Sequence, residues 1–376
     1  MFTFDIFIFA GETSGDKLGA HLLKEIKKKR PSLNIAAVAG KRMREKNPFL
    51  VLKTEEFEVM GFFQVFLSFF SLIKKFFFLK RWILKNNPKI LVFIDYPGFN
   101  LRLEKSLRKK GFSGKIIHYV CPTVWAWGKN RISQMEKTLD LLLILFPFEK
   151  RCFSKSLLKV QHVGHPLAFE IQPFSKTQKE KFGIGLFPGS RKKEIENNLP
   201  LHLDAIKRLV KNRDNIDIYL SISHEKFLPL IKKILIKFPS LKKLHLLEGG
   251  NYEIMKKIDI AIATSGTINL ELAMHLIPTI VTYYINPIET FIGKNILKIL
   301  LPFYCIVNIC EQKEIFPELY GPNLTKERLF LLTKDLMEDN NSIQNCKDKC
   351  LQLKKNLYKP HPSEFAAKSI LSLLPF

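Results

Sequence analysis

FDIFIFAGETSGDKLG, residues 4–19, decides the fold class of this chain. The largely apolar run over 4–9 fits a strand buried on both faces. It ends at Gly11, and the polar turn after it leads into helical spacing over 17–29. PKILVFIDYPGFN, residues 88–100, repeats the figure: a buried strand over 88–94, a stop at Asp95 and Pro97, then a helix over 101–110. Strands over 34–38, 115–120 and 139–145 and a helix over 131–137 continue the series. Strands alternating with helices predict a parallel sheet with helices on its faces.

The series breaks over 165–181, which holds Pro166, Pro173 and several polar residues. It restarts with strands over 185–187, 216–222, 244–247, 258–263 and 279–283. Helices over 199–211, 226–238, 251–256 and 267–275 alternate with them. The chain therefore reads as α/β, with two Rossmann-like doubly wound parallel-sheet domains facing across a cleft. The expected boundaries are 1–165, 166–345 and a set of terminal helices over 346–376, packing back on the first domain or on a partner subunit. Ligands of such sheets bind beyond the carboxyl ends of the strands. No tandem repeat of short period interrupts this reading.

The 376 residues are 46% hydrophobic and 25% charged, which excludes a disordered chain. The net charge is +25, of which +17 falls in residues 1–165 and +8 in the rest. Such a basic surface implies an anionic partner: nucleic acid, acidic lipid or a phosphorylated substrate. The abundance of Lys, Phe, Ile and Asn also fits an AT-rich coding sequence, which would inflate the charge. The six cysteines show no C-x-x-C pair, so a reduced cytoplasmic protein is expected. The opening MFTFDIFIFAGE carries Asp5 and no basic leader, so no signal peptide is expected. Residues 59–79, VMGFFQVFLSFFSLIKKFFFL, are interrupted by Lys74 and Lys75, too early for a spanning helix. Phe62, Phe66, Phe69, Phe70, Ile73 and Phe77 recur at helical spacing and predict one apolar stripe. Beside Lys74, Lys75, Lys80 and Arg81 that stripe suits an anionic leaflet; an ordinary core-facing helix with a basic outer face fits it too.

Four loops sit where this architecture places chemistry. AGETSGDKLG (10–19) turns from strand to helix with backbone N–H groups that could face a phosphate or sugar. It has neither a P-loop lysine nor the G-x-G-x-x-G pattern, which disfavours a nucleoside triphosphatase. IDYPGFN (94–100) sets Asp95 at the end of a buried strand, the placement a general base needs beside an acceptor hydroxyl. FPGSRKKEI (187–195) turns through Gly189 and Ser190 into a helix and sets Arg191 and Lys192 where charge on a diphosphate leaving group could be neutralised. ATSGTINLE (263–271) places Ser265, Gly266 and Thr267 at a helix start, an anion cradle, with Glu271 placed to accept from ribose hydroxyls. Singly, each is also an ordinary turn or N-cap.

Ten stretches together resemble the lipid-A-disaccharide synthase family: AGETSGD, AGKRMRE (39–45), VMGFFQV (59–65), IDYPGFNLRL (94–103), HYVCPTVWAW (118–127), LFPFEK (145–150), VGHPL (163–167), LFPGSRKKEI (186–195), ATSGTINLE and the weaker YCIVNI (304–309). They run in the family's order from residue 10 to about 320. The resemblance implies a GT-B fold, with the active site between two domains. It implies transfer of 2,3-diacylglucosamine from its UDP derivative to the 6-hydroxyl of 2,3-diacylglucosamine 1-phosphate. The products would be a β-1,6-linked disaccharide 1-phosphate and UDP, with inversion. No metal or cofactor is expected. Asp95 falls on the family's essential aspartate, the base for the 6-hydroxyl, and Arg191 on its essential arginine, a diphosphate contact. Glu12 and Ser14 belong to the N-terminal glycine loop. Ser265, Gly266 and Thr267 lie beside the diphosphate, Ser190 is a further substrate-binding residue, Glu271 falls on the ribose-binding glutamate, and Asn308 matches an asparagine of the nucleotide site. Two departures stand out. The block around Asn308 reads IVNI where many members read Leu-Pro-Asn-Leu, and Gly98 stands where many carry a second acid. The latter favours Asp95 as sole base. The resemblance further implies a peripheral enzyme of the cytoplasmic face of the inner membrane, docked through residues 60–78, and it allows a homodimer.

A UDP-sugar epimerase or another GT-B glycosyltransferase would share the UDP-binding second domain without needing the Phe-rich segment. A basic nucleic-acid or membrane-binding protein would explain the charge but not the four loops. It would also predict exposed aromatics interleaved with basic residues, or a recognisable binding module. None is found, so no nucleic-acid partner is expected.

Overall fold

A computed structural model describes residues 3–57, 64–126, 128, 130–174, 181–211, 213–241, 243–286 and 301–374, with the side chains of 64–69 left aside. The chain divides into two compact units, Met1–Pro166 with Lys359–Phe376, and Leu167–Tyr358.

In the first unit β1 (Ile6–Ala10), α1 (Thr13–Lys29), β2 (Ile35–Ala39), α2 (Lys41–Arg44) and β3 (Phe49–Lys53) are followed by α3 (Gln64–Asn86). Then come β4 (Ile90–Ile94), α4 (Pro97–Lys109), β5 (Lys115–Tyr119), α5 (Asn130–Thr138), β6 (Leu141–Ile144) and β7 (Val160–His162). The seven strands are parallel and ordered β3-β2-β1-β4-β5-β6-β7. Chain order therefore reverses between β1 and β4, where a doubly wound sheet leaves its crevice. Strands β1, β2 and β4 are buried along their whole length. Their residues alternate between two cores. Phe7, Phe9 and Phe93 face the aromatic side with Leu79 and Ile83 of α3. Ile6, Ile8 and Ile94 face the side covered by Leu22, Leu23 and Ile26 of α1.

α6 (Pro166–Glu170) leads into the second unit. It contains β8 (Phe182–Phe187), α7 (Lys192–Leu209), β9 (Ile216–Ile222), α8 (Leu228–Leu235), β10 (Leu244–Glu248), α9 (Asn251–Lys257), β11 (Ile260–Thr264), α10 (Thr267–Met274) and β12 (Thr279–Tyr283). After these come α11 (Ile306–Glu311), β13 (Glu318–Tyr320), α12 (Lys326–Glu338) and α13 (Asn340–Leu357). The sheet order, β10-β9-β8-β11-β12-β13, repeats the first and reverses between β8 and β11.

The terminal segment differs from the expectation of helices packing back from residue 346. α13 buries Cys346, Cys350 and Leu353 and packs on α10 and α11, so it stays with the second unit. The return begins at Lys359. There α14 (Pro362–Leu371) sets Ala366, Ala367 and Ile370 on the core beneath α1, and Lys29 pairs with Glu364 at 2.8 Å.

The Phe-rich segment also differs from a single stripe. Within α3, Leu72, Phe76, Leu79 and Ile83 recur every three or four residues and face the core. Phe70, Ile73, Phe77 and Phe78 are exposed, Phe70 by 53% and Phe77 by 61%. The helix thus carries two apolar faces, only one of which the fold covers. Phe62 lies outside the described residues, as do the side chains of Phe66 and Phe69. No helix among the described residues is long and apolar enough to cross a membrane.

Candidate active site

The four loops singled out by sequence emerge from four strands that the sheets join in pairs. Ala10 lies opposite Ile94, and Ala263 opposite Phe187. Each pair flanks the point where its sheet reverses order, so each unit carries one composite site.

In the first unit the turn after β4 is strained. Asp95 and Tyr96 both have φ near 51°, and Val120, after the neighbouring β5, has φ 80°. Left-handed backbone costs a non-glycine residue about 1–2 kcal/mol, and a β-branched valine is the least suited to it. Such conformations persist only where surrounding bonds impose them. Here Asp95 N–H donates to Tyr119 O at 2.8 Å, and the buried Asn100 donates through Nδ2 to Asp95 O. Pro97 then starts α4 with its fixed φ. The Asp95 carboxyl is held half-buried at this turn. Burial raises its pKa above the ordinary aspartate value, against the opposing pull of His118 and of a hydrogen bond from Tyr96 N–H.

The β1 turn meets this one directly. A Cβ on Gly11 would lie 2.9 Å from the Tyr96 ring, so only glycine permits the approach. Glu12 follows and is exposed. Burial raises the Tyr96 pKa, and the nearby Glu12 charge raises it further. Ser14 is exposed in the first turn of α1. Asp16, the last residue of that motif, is structural, since its carboxylate accepts from Arg42 and Met43 N–H and caps α2. Glu12 and the Tyr96–Phe99 stretch line one cavity of 660 Å³, whose other wall is formed by Leu72, Ile73, Phe76 and Phe77 of α3, at the border of its covered and exposed faces. Of the WAW block, Trp125 packs its ring 5.7 Å from Phe148, and Trp127 lies outside the described residues.

In the second unit Gly189 has φ 120°, and a Cβ there would strike Glu194 at 2.6 Å. Glu194 reaches back over the start of α7, accepting from Ser190 N–H at 2.9 Å and Arg191 N–H at 3.2 Å, and it pairs with the Arg191 guanidinium at 2.9 Å. A carboxylate thus occupies the donors that the sequence reading assigned to a diphosphate. Glu194 stands at N3 of α7, three residues after the N-cap Arg191, which is the spacing of a capping box. Arg191 remains 82% exposed. On the neighbouring β11 turn Ser265 donates through Oγ to Tyr304 O, Gly266 and Thr267 are exposed, and Glu271 is half-buried on α10.

Asn308 is not brought to this surface. It is fully buried on α11, donating to Phe316 O and Glu318 Oε1 and accepting from Ile315 and Phe316 N–H. Two donors and two acceptor sites exhaust a side-chain amide. Its role here is to fix the approach to β13, and the expected ligand contact is corrected accordingly. Glu318, which sequence reading missed, accepts from Tyr304 and Cys305 N–H at the start of α11.

Comparisons with known proteins agree with this layout. The sequence model of the lipid-A-disaccharide synthetase family matches residues 6–369. A lipid-A-disaccharide synthase of Chlamydia trachomatis serovar D is 39% identical over 329 residues, 85% of this chain and 54% of that protein. One from Coxiella burnetii is 30% identical over 378 residues, 98% of each chain. The chain spans about half the length of the chlamydial relative. Among solved structures, a UDP-GlcNAc 2-epimerase from Neisseria meningitidis bound to UDP-GlcNAc aligns with TM-score 0.59 at 13% identity, covering 98% of each chain. A lipopolysaccharide outer core galactosyltransferase in its apo form aligns with TM-score 0.53 at 13% identity, covering 98% of this chain and 99% of that one. These two share the fold, the GT-B pairing of parallel-sheet units. With both parallel-sheet units inside the family match over residues 6–369 and relatives of 30% and 39% identity, the chain belongs to the lipid-A-disaccharide synthase family.

Proposed function

We propose that this protein is an inverting glycosyltransferase of lipid A synthesis. It moves 2,3-diacylglucosamine from UDP to the 6-hydroxyl of 2,3-diacylglucosamine 1-phosphate. The observation that carries the reading is the half-buried Asp95 on its strained turn, beside an apolar cavity and within a family-wide match. Asp95 takes the proton of the acceptor 6-hydroxyl as the oxygen attacks the anomeric carbon. The bond to UDP breaks on the opposite face, which inverts the centre. Arg191, with the donors of Ser265, Gly266 and Thr267, takes up the charge that develops on the diphosphate, and Glu271 accepts from the ribose hydroxyls. Ser190 supports the diphosphate, while Glu12 and Ser14 border the acceptor. The test is UDP release from UDP-2,3-diacylglucosamine with and without the acylated acceptor. Release that requires the acceptor supports transfer; acceptor-independent conversion to free sugar supports epimerase chemistry instead.

Acylated substrates lie in a membrane, and the uncovered face of α3 supports peripheral attachment at the inner leaflet. Exposed Phe70 and Phe78 lie on the same helix as Lys74 and Arg81. A half-exposed phenylalanine that enters lipid gains on the order of 1 kcal/mol, and each basic residue near an acidic surface about as much. Phe70→Ser with Phe78→Ser is expected to weaken binding to acidic phospholipid vesicles roughly ten-fold or more at high salt, with circular dichroism unchanged. Unchanged vesicle partitioning would show that this face does not meet lipid. A homodimer remains part of the family-derived proposal, and light scattering in detergent would test it.

A further inference from the structure

The cavity beside Asp95 has a charged end that the reaction scheme above leaves unused. Its walls are apolar, with Leu72, Phe76 and Phe77 on α3 facing Phe99 on α4. Arg102, in the second turn of α4, lines the same cavity. It is exposed and has no hydrogen bond or ion pair among the described residues. Arg44 and Arg108, in the same unit, are instead paired with Glu55 and Asp140. Gly98 lies four residues before Arg102, hence one turn N-terminal on the same helix face. A Cβ at Gly98 would meet nothing within 4 Å, so the helix face one turn before Arg102 is open space. No side chain at 98 can neutralise Arg102 or block that space.

A guanidinium without a partner among the described residues, beside an apolar cavity of this size, suits an apolar chain carried next to an anionic group such as a phosphate. Both parts occur in the acceptor. We infer that the cavity takes an acyl chain of the acceptor and that Arg102 binds its anomeric phosphate, making Arg102 a specificity-determining residue for phosphorylated acceptors. This inference rests on the glycosyl-transfer reading. Arg102 holds one end of the acceptor sugar, at C1. The 6-hydroxyl, at the other end of the ring, is then left for Asp95, which directly precedes the cavity-lining Tyr96.

The experiment measures steady-state transfer to 2,3-diacylglucosamine 1-phosphate and to the same acceptor without its phosphate. Arg102→Ala is expected to raise KM for the phosphorylated acceptor roughly 10- to 100-fold, the range of a hydrogen bond to a charged group. KM for the UDP donor and kcat should stay within a few-fold, and Arg102→Lys should recover part of the loss. The unphosphorylated acceptor should be used equally by wild type and Arg102→Ala. If Arg102→Ala keeps the wild-type preference for the phosphorylated acceptor, Arg102 does not bind the phosphate, while the transfer reading stands. If wild type transfers to neither acceptor, the transfer reading fails and takes this inference with it.

Discussion

Asp95→Asn lowers turnover by roughly 10²- to 10⁴-fold, the range of a lost general base, with KM for both substrates within a few-fold. The amide keeps the size of the side chain, and the turn is held through backbone groups, Asp95 N–H to Tyr119 O and Asn100 to Asp95 O. The fold should therefore survive. What is lost is the capacity to accept a proton. Gly98 offers no second acid in the first turn of α4 to replace it. Burial raises the Asp95 pKa, so the base works closer to neutrality than an ordinary aspartate. The acidic limb of kcat/KM should rise with unit slope through that raised pKa, and activity is lost as pH falls below it. The stability sign is opposite. A carboxyl whose folded pKa is raised contributes stability that is present below its unfolded value and lost as pH rises through the folded value. At neutral pH Asp95→Asn should thus be no less stable than wild type, and it should lack that pH dependence. Turnover within a few-fold of wild type, with an intact fold, would remove Asp95 from the role of base.

Arg191→Ala is expected to cost roughly 10²- to 10³-fold in kcat, comparable to the loss of a preorganised charge donor, with a higher KM for the UDP donor. The guanidinium is 82% exposed and sits at the start of α7, whose N–H groups add partial positive charge. Its partner in the structure is Glu194, three residues on in the same helix. An exposed pair of this kind is worth only about 0.2–1 kcal/mol, so Arg191 can exchange it for a diphosphate. The replacement should leave the fold intact, because Glu194 still accepts from the N–H groups of residues 190 and 191. Lysine at this position should recover part of the rate, since it restores charge without the planar fork. If Arg191→Ala keeps both kcat and donor KM within a few-fold of wild type, the diphosphate is neutralised elsewhere.

The strands that form the two buried centres were legible because burial on both faces leaves continuous apolar runs, as in ILVFI over β4 and IAIAT over β11. The strands missed are of another kind. β3 is partly exposed along its length, and β7 and β13 are three residues each, so periodicity had little to act on. The length of α3 blurred two stripes into one. Residues 70, 73 and 77 share a spacing with 72, 76, 79 and 83, and only the covering sheet distinguishes the face that is buried. Asn308 shows a similar limit. A sequence motif names an amide but not the direction it faces, and here the backbone of Ile315–Phe316 and Glu318 claims all of its bonding capacity.

By itself the sequence determined two parallel α/β units, four strand-end loops and a basic first half, because strand burial and helix starts leave local patterns of residue type. Only the tertiary structure decided that those loops join two by two, that Glu12 shares a cavity with the Asp95 turn, and that Arg102 lines the same cavity without a partner among the described residues. The reason is that parallel strands pair across intervening helices. Ala10 and Ile94 are 84 residues apart in the chain and opposite one another in the sheet, and no local pattern records that pairing.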